Sequence, residues 1–353
     1  MGFKPKYTIS PEVLGAISEI AEIKGIIERS PVLPLNELEL KRQALIRMVH
    51  TSTSIEGNKL EEYQVDKVLS GMSVSADDQS IAEVKNYQAA LKEVEKMAKN
   101  NIGITVDVIL KIHALTMSGL LENHKSGNFR PGDVYIVDDL GNGKEHLRFK
   151  GPPTDNIKPL IRELLLWLKH SEKDQLHPVI KAGIFHSQFV HIHPFSDGNG
   201  RVTRLLTNLL LYLDGWDFRK VIVLEAFYNK NRQDYYNALA YGWNDFYKEG
   251  ADFTSWLEYF IAGFLVEARK VKNVIVSLGF DKVGDRTQTY LDPDELKIMD
   301  FLVSNQKITS GEVTKLVKVA KRTAQLKLKN LLDKKLIKSE GKARATFYVL
   351  IKD

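Results

Sequence analysis

The sequence predicts a mostly α-helical protein with one small β-hairpin, followed by a separate helical unit that ends in a second hairpin. Three observations carry this expectation. Apolar residues recur at helical spacing through most of residues 10–278. That rhythm breaks at 127–153, where Val134-Tyr135-Ile136-Val137 leads into a Gly- and Asp-rich tip and the chain returns through Leu147 and Phe149. Beyond a polar linker at 281–293, basic residues concentrate: 14 Lys/Arg against 7 Asp/Glu from Asp294 to Asp353, while the chain as a whole carries +5.

Taken in order, a helix over 10–29 is expected from the Ser10 cap, Pro11 at the first helical position and the Ile17, Ile20, Ile23, Ile27 stripe. Pro31 and Pro34 separate it from a second helix over 38–50. The polar run Thr51-Ser52-Thr53-Ser54-Ile55-Glu56-Gly57 follows, with Gly57 ending the helix. Further helices are expected at 66–69, 81–99, 105–117 (capped by Thr105) and 155–170. His113, among apolar neighbours, reads as structural. Later helices are expected at 178–191, 232–248 and 253–278, then at 294–304, 310–317 and 320–332, before a basic hairpin.

The chemistry concentrates between the helix ending near 191 and the apolar run at 205–211. Here lies His193-Pro194-Phe195-Ser196-Asp197-Gly198-Asn199-Gly200-Arg201-Val202-Thr203-Arg204. Gly198 and Gly200 permit positive φ and close approach of a ligand to the backbone. A helix opening at Asn199–Gly200 turns its free N–H groups and dipole toward the loop, which suits phosphate. Arg201 and Arg204, three apart, share a face and offer forked donors. Asp197 suits Mg²⁺, which takes few carboxylates and keeps water and phosphate ligands. An unperturbed histidine titrates near neutrality, so His193 suits a general base. The bland alternative is a capped helix turn with a structural histidine. His186 and His191 stand five and two residues from their next histidine, which does not fit helical zinc-ligand spacing, so packing roles are preferred.

This stretch resembles the Fic-domain family, matching H-x-F-x-[D/E]-G-N-G-R-x-x-R at every defined position. The resemblance implies an all-α Fic fold with a small β-hairpin flap and transfer of AMP from ATP to a protein Tyr, Thr or Ser hydroxyl. By resemblance His193 is the base, Asp197 holds Mg²⁺, Gly198, Asn199 and Gly200 bind phosphates, and Arg201 and Arg204 contact them too. Ser52, Glu56 and Gly57 satisfy the family's inhibitory pattern [S/T]-x-x-x-E-[G/N]. Glu56 would then pair with Arg204 and deny its donors to the ATP γ-phosphate. The 134–137 strand resembles the flap that docks a target by strand addition, and Tyr235 and Tyr236 resemble an element near the adenine pocket. Some relatives transfer other groups or remove AMP. The resemblance spans roughly 40–265.

The implied organisation is an N-terminal helical region (1–100) with the inhibitory motif (52–57) and a catalytic core (101–280) with its flap. The linker and a terminal domain (294–353) follow. Helix, helix–turn–helix and hairpin resemble a C-terminal winged helix-turn-helix domain. Lys318, Lys321, Arg322, Lys327 and Lys329 lie on its presumed recognition helix, making DNA a candidate partner beside the target protein. A mobility shift with random duplex at low salt separates DNA binding from a solvated lysine face. A competing function is a DNA-binding regulator that senses nucleotide without transferring it; homodimerisation is left open.

The chain has 353 residues, no cysteine, 43% hydrophobic and 27% charged residues. Absence of cysteine excludes disulfides, thiolate catalysis and cysteine-ligated metals. No apolar run reaches membrane-spanning length and the first residues lack a signal-peptide core, so no membrane partner and a cytoplasmic location are expected.

Overall fold

The computed structural model describes residues 2–30, 34–139, 145–243, 246–280, 291–341 and 346–351. Most of the expected linker and the tip of the first hairpin lie outside the described residues. The elements run α1 (Pro11–Arg29), α2 (Pro34–Ile55), α3 (Glu62–Leu69), α4 (Asp78–Lys99), α5 (Val106–Thr116), β1 (Tyr135–Asp139) and β2 (Glu145–Lys150). They continue with α6 (Ile157–Lys173), α7 (Pro178–Ile192), α8 (Asn199–Leu213), α9 (Leu224–Lys230), α10 (Arg232–Ala240) and α11 (Thr254–Phe280). The last group is α12 (Pro293–Asn305), α13 (Ser310–Val317), α14 (Lys321–Asp333), β3 (Ile337–Glu340) and β4 (Phe347–Leu350). No helix among the described residues is long and apolar enough to cross a membrane.

Helix starts follow local chemistry. Ser10 accepts from the Val13 N–H with Pro11 in the first turn, and Thr105 accepts from the Val108 N–H. Asp77 caps α4, while Asp292/Glu295 and Thr309/Glu312 form reciprocal capping boxes on α12 and α13. The core centres on α7 and α8, buried along nearly their whole length, with α4, α5, α6, α9 and α11 around them. A second apolar core joins Leu291, Ile298, Leu302, Ile308, Val313, Leu328 and Ile337.

Three departures from expectation have physical reasons. α2 runs five residues past 50, through a Thr/Ser stretch of low helix propensity. There the Thr51 and Thr53 hydroxyls donate back to the Arg47 and Val49 carbonyls, and Arg204 binds Ser52. α10 stops at Ala240 rather than near 248. Gly242 adopts φ +85° and any Cβ there would press on the Asp252 carbonyl. The chain then turns so that the Tyr247 N–H donates to the Lys150 carbonyl, 2.9 Å away. The short α9 carries the buried Glu225 and had no clear periodic signature.

β1 and β2 pair antiparallel, Tyr135 opposite Lys150 and Ile136 opposite Phe149, with a bulge between Ile136 and Val137. Phe246 and Tyr247 cover β2 at Lys150, which leaves β1 as the open edge among the described residues.

Candidate active site

The loop from His193 to Gly198 joins two buried helices and is held from several sides. His193 ends α7 with φ 48°, ψ 59°, a left-handed conformation that reverses the chain. The Arg130 guanidinium donates to the carbonyls of His193 (2.8 Å), Gly132 (2.6 Å) and Pro152 (2.5 Å). Its backbone N–H donates to the Pro194 carbonyl at 2.9 Å. Asn199 closes the loop internally, accepting from the Phe195 N–H (2.9 Å) and donating to the Phe195 carbonyl (2.8 Å). The His113 ring stacks on Phe195 at 3.7 Å between centroids; its Nδ1 accepts from the Gly127 N–H and its Nε2 donates to the Asp197 carbonyl.

His193 is half-buried. Its Nδ1 lies 3.0 Å from the Val190 carbonyl, which only accepts, so Nδ1 carries the proton and Nε2 keeps a free lone pair. Burial pushes the ring down to about 4, against the Val190 carbonyl, which favours protonation. At neutral pH the imidazole is therefore neutral and able to accept a proton. His113 (about 4) and His191 (about 3) are lowered by burial as well. These folded values lie below the ordinary 6.5, so the unfolded chain binds more protons between pH 6.5 and about 4, and stability falls as pH drops through that window. Each fully buried histidine contributes up to about 1.4 kcal/mol per pH unit. Thermal melts from pH 7.5 to 4.5 should show Tm dropping below pH 6.5; a flat profile would contradict these buried neutral rings.

At the α8 N-terminus, Gly198 is the cap residue with φ 79°, and a Cβ there would run into Met117. A Cβ on Gly200 would overlap the Glu56 carboxylate and come within 3.0 Å of Arg204 Nη1. Arg204, with its side chain 1% exposed, donates through Nε to Ser52 Oγ (2.7 Å) and through Nη2 to the Ser52 carbonyl (2.9 Å). Nη2 also reaches Glu56 Oε1 at 2.7 Å. Burial alone would raise the Glu56 pKa, but Arg204 and Arg201 hold it below the usual carboxylate range. In return Glu56 raises Arg204 against its own burial. Glu56 thus lies as an internal anion beside the opening of a helix, where dipole and arginine both favour negative charge.

Buried donors are left over. Arg204 Nη1 and Arg201 Nε and Nη1 have no hydrogen-bond partner among the described residues. Arg201 is flanked at 3.4 Å by Asp197 Oδ1 and at 3.5 Å by Glu83 Oε1. Unpaired buried guanidinium N–H groups are costly unless a ligand meets them. Asp197 has a side chain 57% exposed at the loop rim, open to solvent. No group of three or more His, Asp or Glu side chains gathers as a metal site among the described residues.

The structure therefore brings His193, Asp197, Gly198, Asn199, Gly200, Arg201 and Arg204 together with Ser52, Glu56 and Gly57. Gly57 takes φ 99° in the turn after α2, and Asn58 anchors that turn through Ser80 and Glu83. Tyr235 is buried, stacked on Tyr228 at 4.6 Å and hydrogen-bonded to His186. Tyr236 lies nearer the surface: its hydroxyl donates to the Ile55 carbonyl (3.2 Å) and Arg148 of β2 lies over its ring. It links the hairpin to the end of α2. Val134 accepts from the Gly151 N–H as the hairpin closes; Tyr135 and Val137 point outward and Ile136 is half-buried. His186 and His191 are core groups, the latter stacked on Trp243 at 4.0 Å. Sequence reasoning missed Arg130, Asn58, Glu83 and Met117. An arginine inside the turn-forming Phe129-Arg130-Pro131-Gly132 was the one local signal.

Residues 103–211 match the family model described as Fic/DOC family. The chain contains a Fic domain. It is 30% identical over 204 residues to the protein adenylyltransferase Fic of Drosophila sechellia, and equally to that of Drosophila melanogaster. That alignment covers 57% of this chain but 37% of the fly proteins, so the chain spans little more than a third of these curated relatives. Among solved structures, a Fic family protein from Desulfovibrio desulfuricans G20 aligns over 99% of both chains, with TM-score 0.64 and 26% identity. Fic-1 (residues 134–508) from C. elegans, at 21% identity, shares the fold with TM-score 0.61 over 75% of this chain and 73% of that one. The Fic fold thus extends well beyond the 103–211 segment, and the Desulfovibrio likeness runs through the C-terminal unit.

Proposed function

We propose that this chain is an auto-inhibited protein adenylyltransferase that moves AMP from ATP to a Tyr, Thr or Ser hydroxyl of a target protein. The observation that carries the reading is the set of buried guanidinium donors on Arg201 and Arg204 without a hydrogen-bond partner among the described residues, beside a helix N-terminus on the loop that bears His193. That set asks for a polyanion next to a base. The relatives named protein adenylyltransferase Fic support AMP as the group transferred.

In this mechanism the target hydroxyl oxygen attacks the α-phosphorus. His193 Nε2 takes the hydroxyl proton, the new P–O bond forms, and the bond to the β-phosphate oxygen breaks to release pyrophosphate. The backbone of Gly198, Asn199 and Gly200 meets the phosphates at the start of α8, with Arg201 and Arg204 offsetting their charge. The exposed Asp197 fits Mg²⁺, since one carboxylate plus water and phosphate oxygens completes its shell; bound there, the ion would neutralise phosphate charge. The segment from Val134 to Val137, which leads into and forms the open edge of β1, receives a target segment as an added strand. Tyr236 is the tyrosine nearer the surface and flanks the nucleotide side, with the buried Tyr235 packed behind it. Glu56 holds the reaction off by occupying Arg204.

The C-terminal unit, three helices followed by the β3–β4 hairpin, supports the winged helix-turn-helix reading; DNA is its proposed partner, with basic α14 facing it. The deciding experiment is incubation with ATP labelled at the α-phosphate. Label should pass to protein with Glu56→Gly and should fall by about 100-fold or more when His193→Ala is added. Nucleotide binding with no labelled protein in either variant would favour the nucleotide-sensing regulator instead.

A further inference from the structure

α2 belongs to two structures at once. Near its start, Leu38 is buried in the second apolar core with Leu291, Ile298 and Leu302, the only member from outside 291–337 among the described residues. One turn on, Lys41 pairs with Glu37 of its own helix at 3.2 Å and reaches Asp300 of α12 at 3.7 Å. Met48 then meets α8, its sulfur accepting from Asn208 Nδ2 at 3.6 Å. Another turn brings Ser52 and then Glu56 onto Arg204, one turn before Asn208 on α8. Residues 38, 41, 45, 48 and 52 succeed each other by three or four, so they share one face of α2, and Glu56 follows in the turn just past its end. Leu38 and Glu56 stand about 27 Å apart along the axis at about 1.5 Å per residue. No glycine or proline interrupts α2 after Pro34, so it has no built-in hinge.

The joint between α2 and α12 is not filled throughout. A cavity of about 100 Å³ lies there, lined by Leu45, Met48, Lys92, Tyr212, Asp300 and Val303 among others. That is room for several waters, and the charged lining suits them. α12 can therefore reseat on α2 without opening the apolar interior of the catalytic helices.

We infer that the C-terminal unit sets how firmly Glu56 is held on Arg204, with α2 as the rigid rod between them. Binding at the C-terminal unit acts on the nucleotide site by moving α2, not by entering that site. The inference rests on the auto-inhibition reading above and adds the source of its control.

Charge reversal at the joint tests it. Asp300→Arg sets like charge against Lys41 and should raise labelling by roughly fivefold. The swap Lys41→Glu/Asp300→Arg restores attraction and should return labelling to the wild-type level. In the Glu56→Gly background, Asp300→Arg should change nothing further. Amide hydrogen exchange at 52–57 should speed up in Asp300→Arg and recover in the swap, a readout independent of turnover. Unchanged exchange and labelling in Asp300→Arg, failure of the swap to restore them, or an equal rise in the Glu56→Gly background would overturn the inference. If Glu56→Gly itself leaves labelling unchanged, the inhibition reading fails, while exchange at 52–57 still decides whether the coupling exists.

Discussion

Glu56→Gly should raise the rate of AMP incorporation about 10- to 100-fold over wild type. Arg204 is enclosed, and its contacts with Ser52 and Glu56 use both Nε and Nη2. Breaking a fully buried ion pair costs about 3–5 kcal/mol, mostly from the charge left unpaired. Glu56 is 27% exposed, so solvent screens part of that and about 1.5–3 kcal/mol is a fair measure of the competition. Since about 1.4 kcal/mol is tenfold, removal of the carboxylate releases the stated range. Incorporation of α-labelled AMP, with ATP affinity measured on the same proteins, reads the effect directly. Equal incorporation by wild type and variant would reject the inhibitory role.

Arg130→Ala should be the most damaging single change away from the reacting atoms. It should cost about 3–5 kcal/mol of stability and cut labelling by about 100-fold in the Glu56→Gly background. The guanidinium serves the His193, Gly132 and Pro152 carbonyls and the Thr154 hydroxyl at once. Truncation leaves the buried Pro152 carbonyl and the part-buried His193 carbonyl unpaired, each costing about 1–3 kcal/mol before relaxation. It also frees the left-handed turn at His193, and displacement of a base by about 1 Å is worth about 100-fold. Thermal denaturation and kinetics on one preparation separate the two effects. A variant with wild-type Tm and labelling would show that the clamp is dispensable.

The readable parts of this chain were those governed by short-range rules. The caps at Ser10 and Thr105 follow from side chains reaching backbone three residues away, and α8 opens after Gly198 because glycine takes the φ of 79° there. The motif from His193 to Arg204 could be interpreted because each residue type there has a distinct chemical use. What escaped depends on distant partners. α2 runs through Thr51 to Ile55 because Arg204, far along the chain, binds Ser52. α10 ends at Ala240 because Asp252 crowds Gly242. Arg130 gave little sign of its role, because the carbonyls it serves come from three separate loop segments. The pairing of Glu56 with Arg204 came from family resemblance and not from spacing, since nothing local joins residues so far apart.

Gly200 limits how such a switch can be altered. With no side chain there, the Glu56 carboxylate lies against the backbone, in the volume that the proposed function gives to a phosphate oxygen. A bulkier residue would evict the inhibitor and obstruct the nucleotide together, so mutation at this position cannot trade one for the other. On the proposed reading, variants that shed inhibition yet keep turnover would arise at residue 56, along α2 that leads to it, or at the joint of α2 with α12. If Glu56 restrains the site as proposed, the strength of that restraint can be adjusted many times over while the catalytic loop stays unchanged.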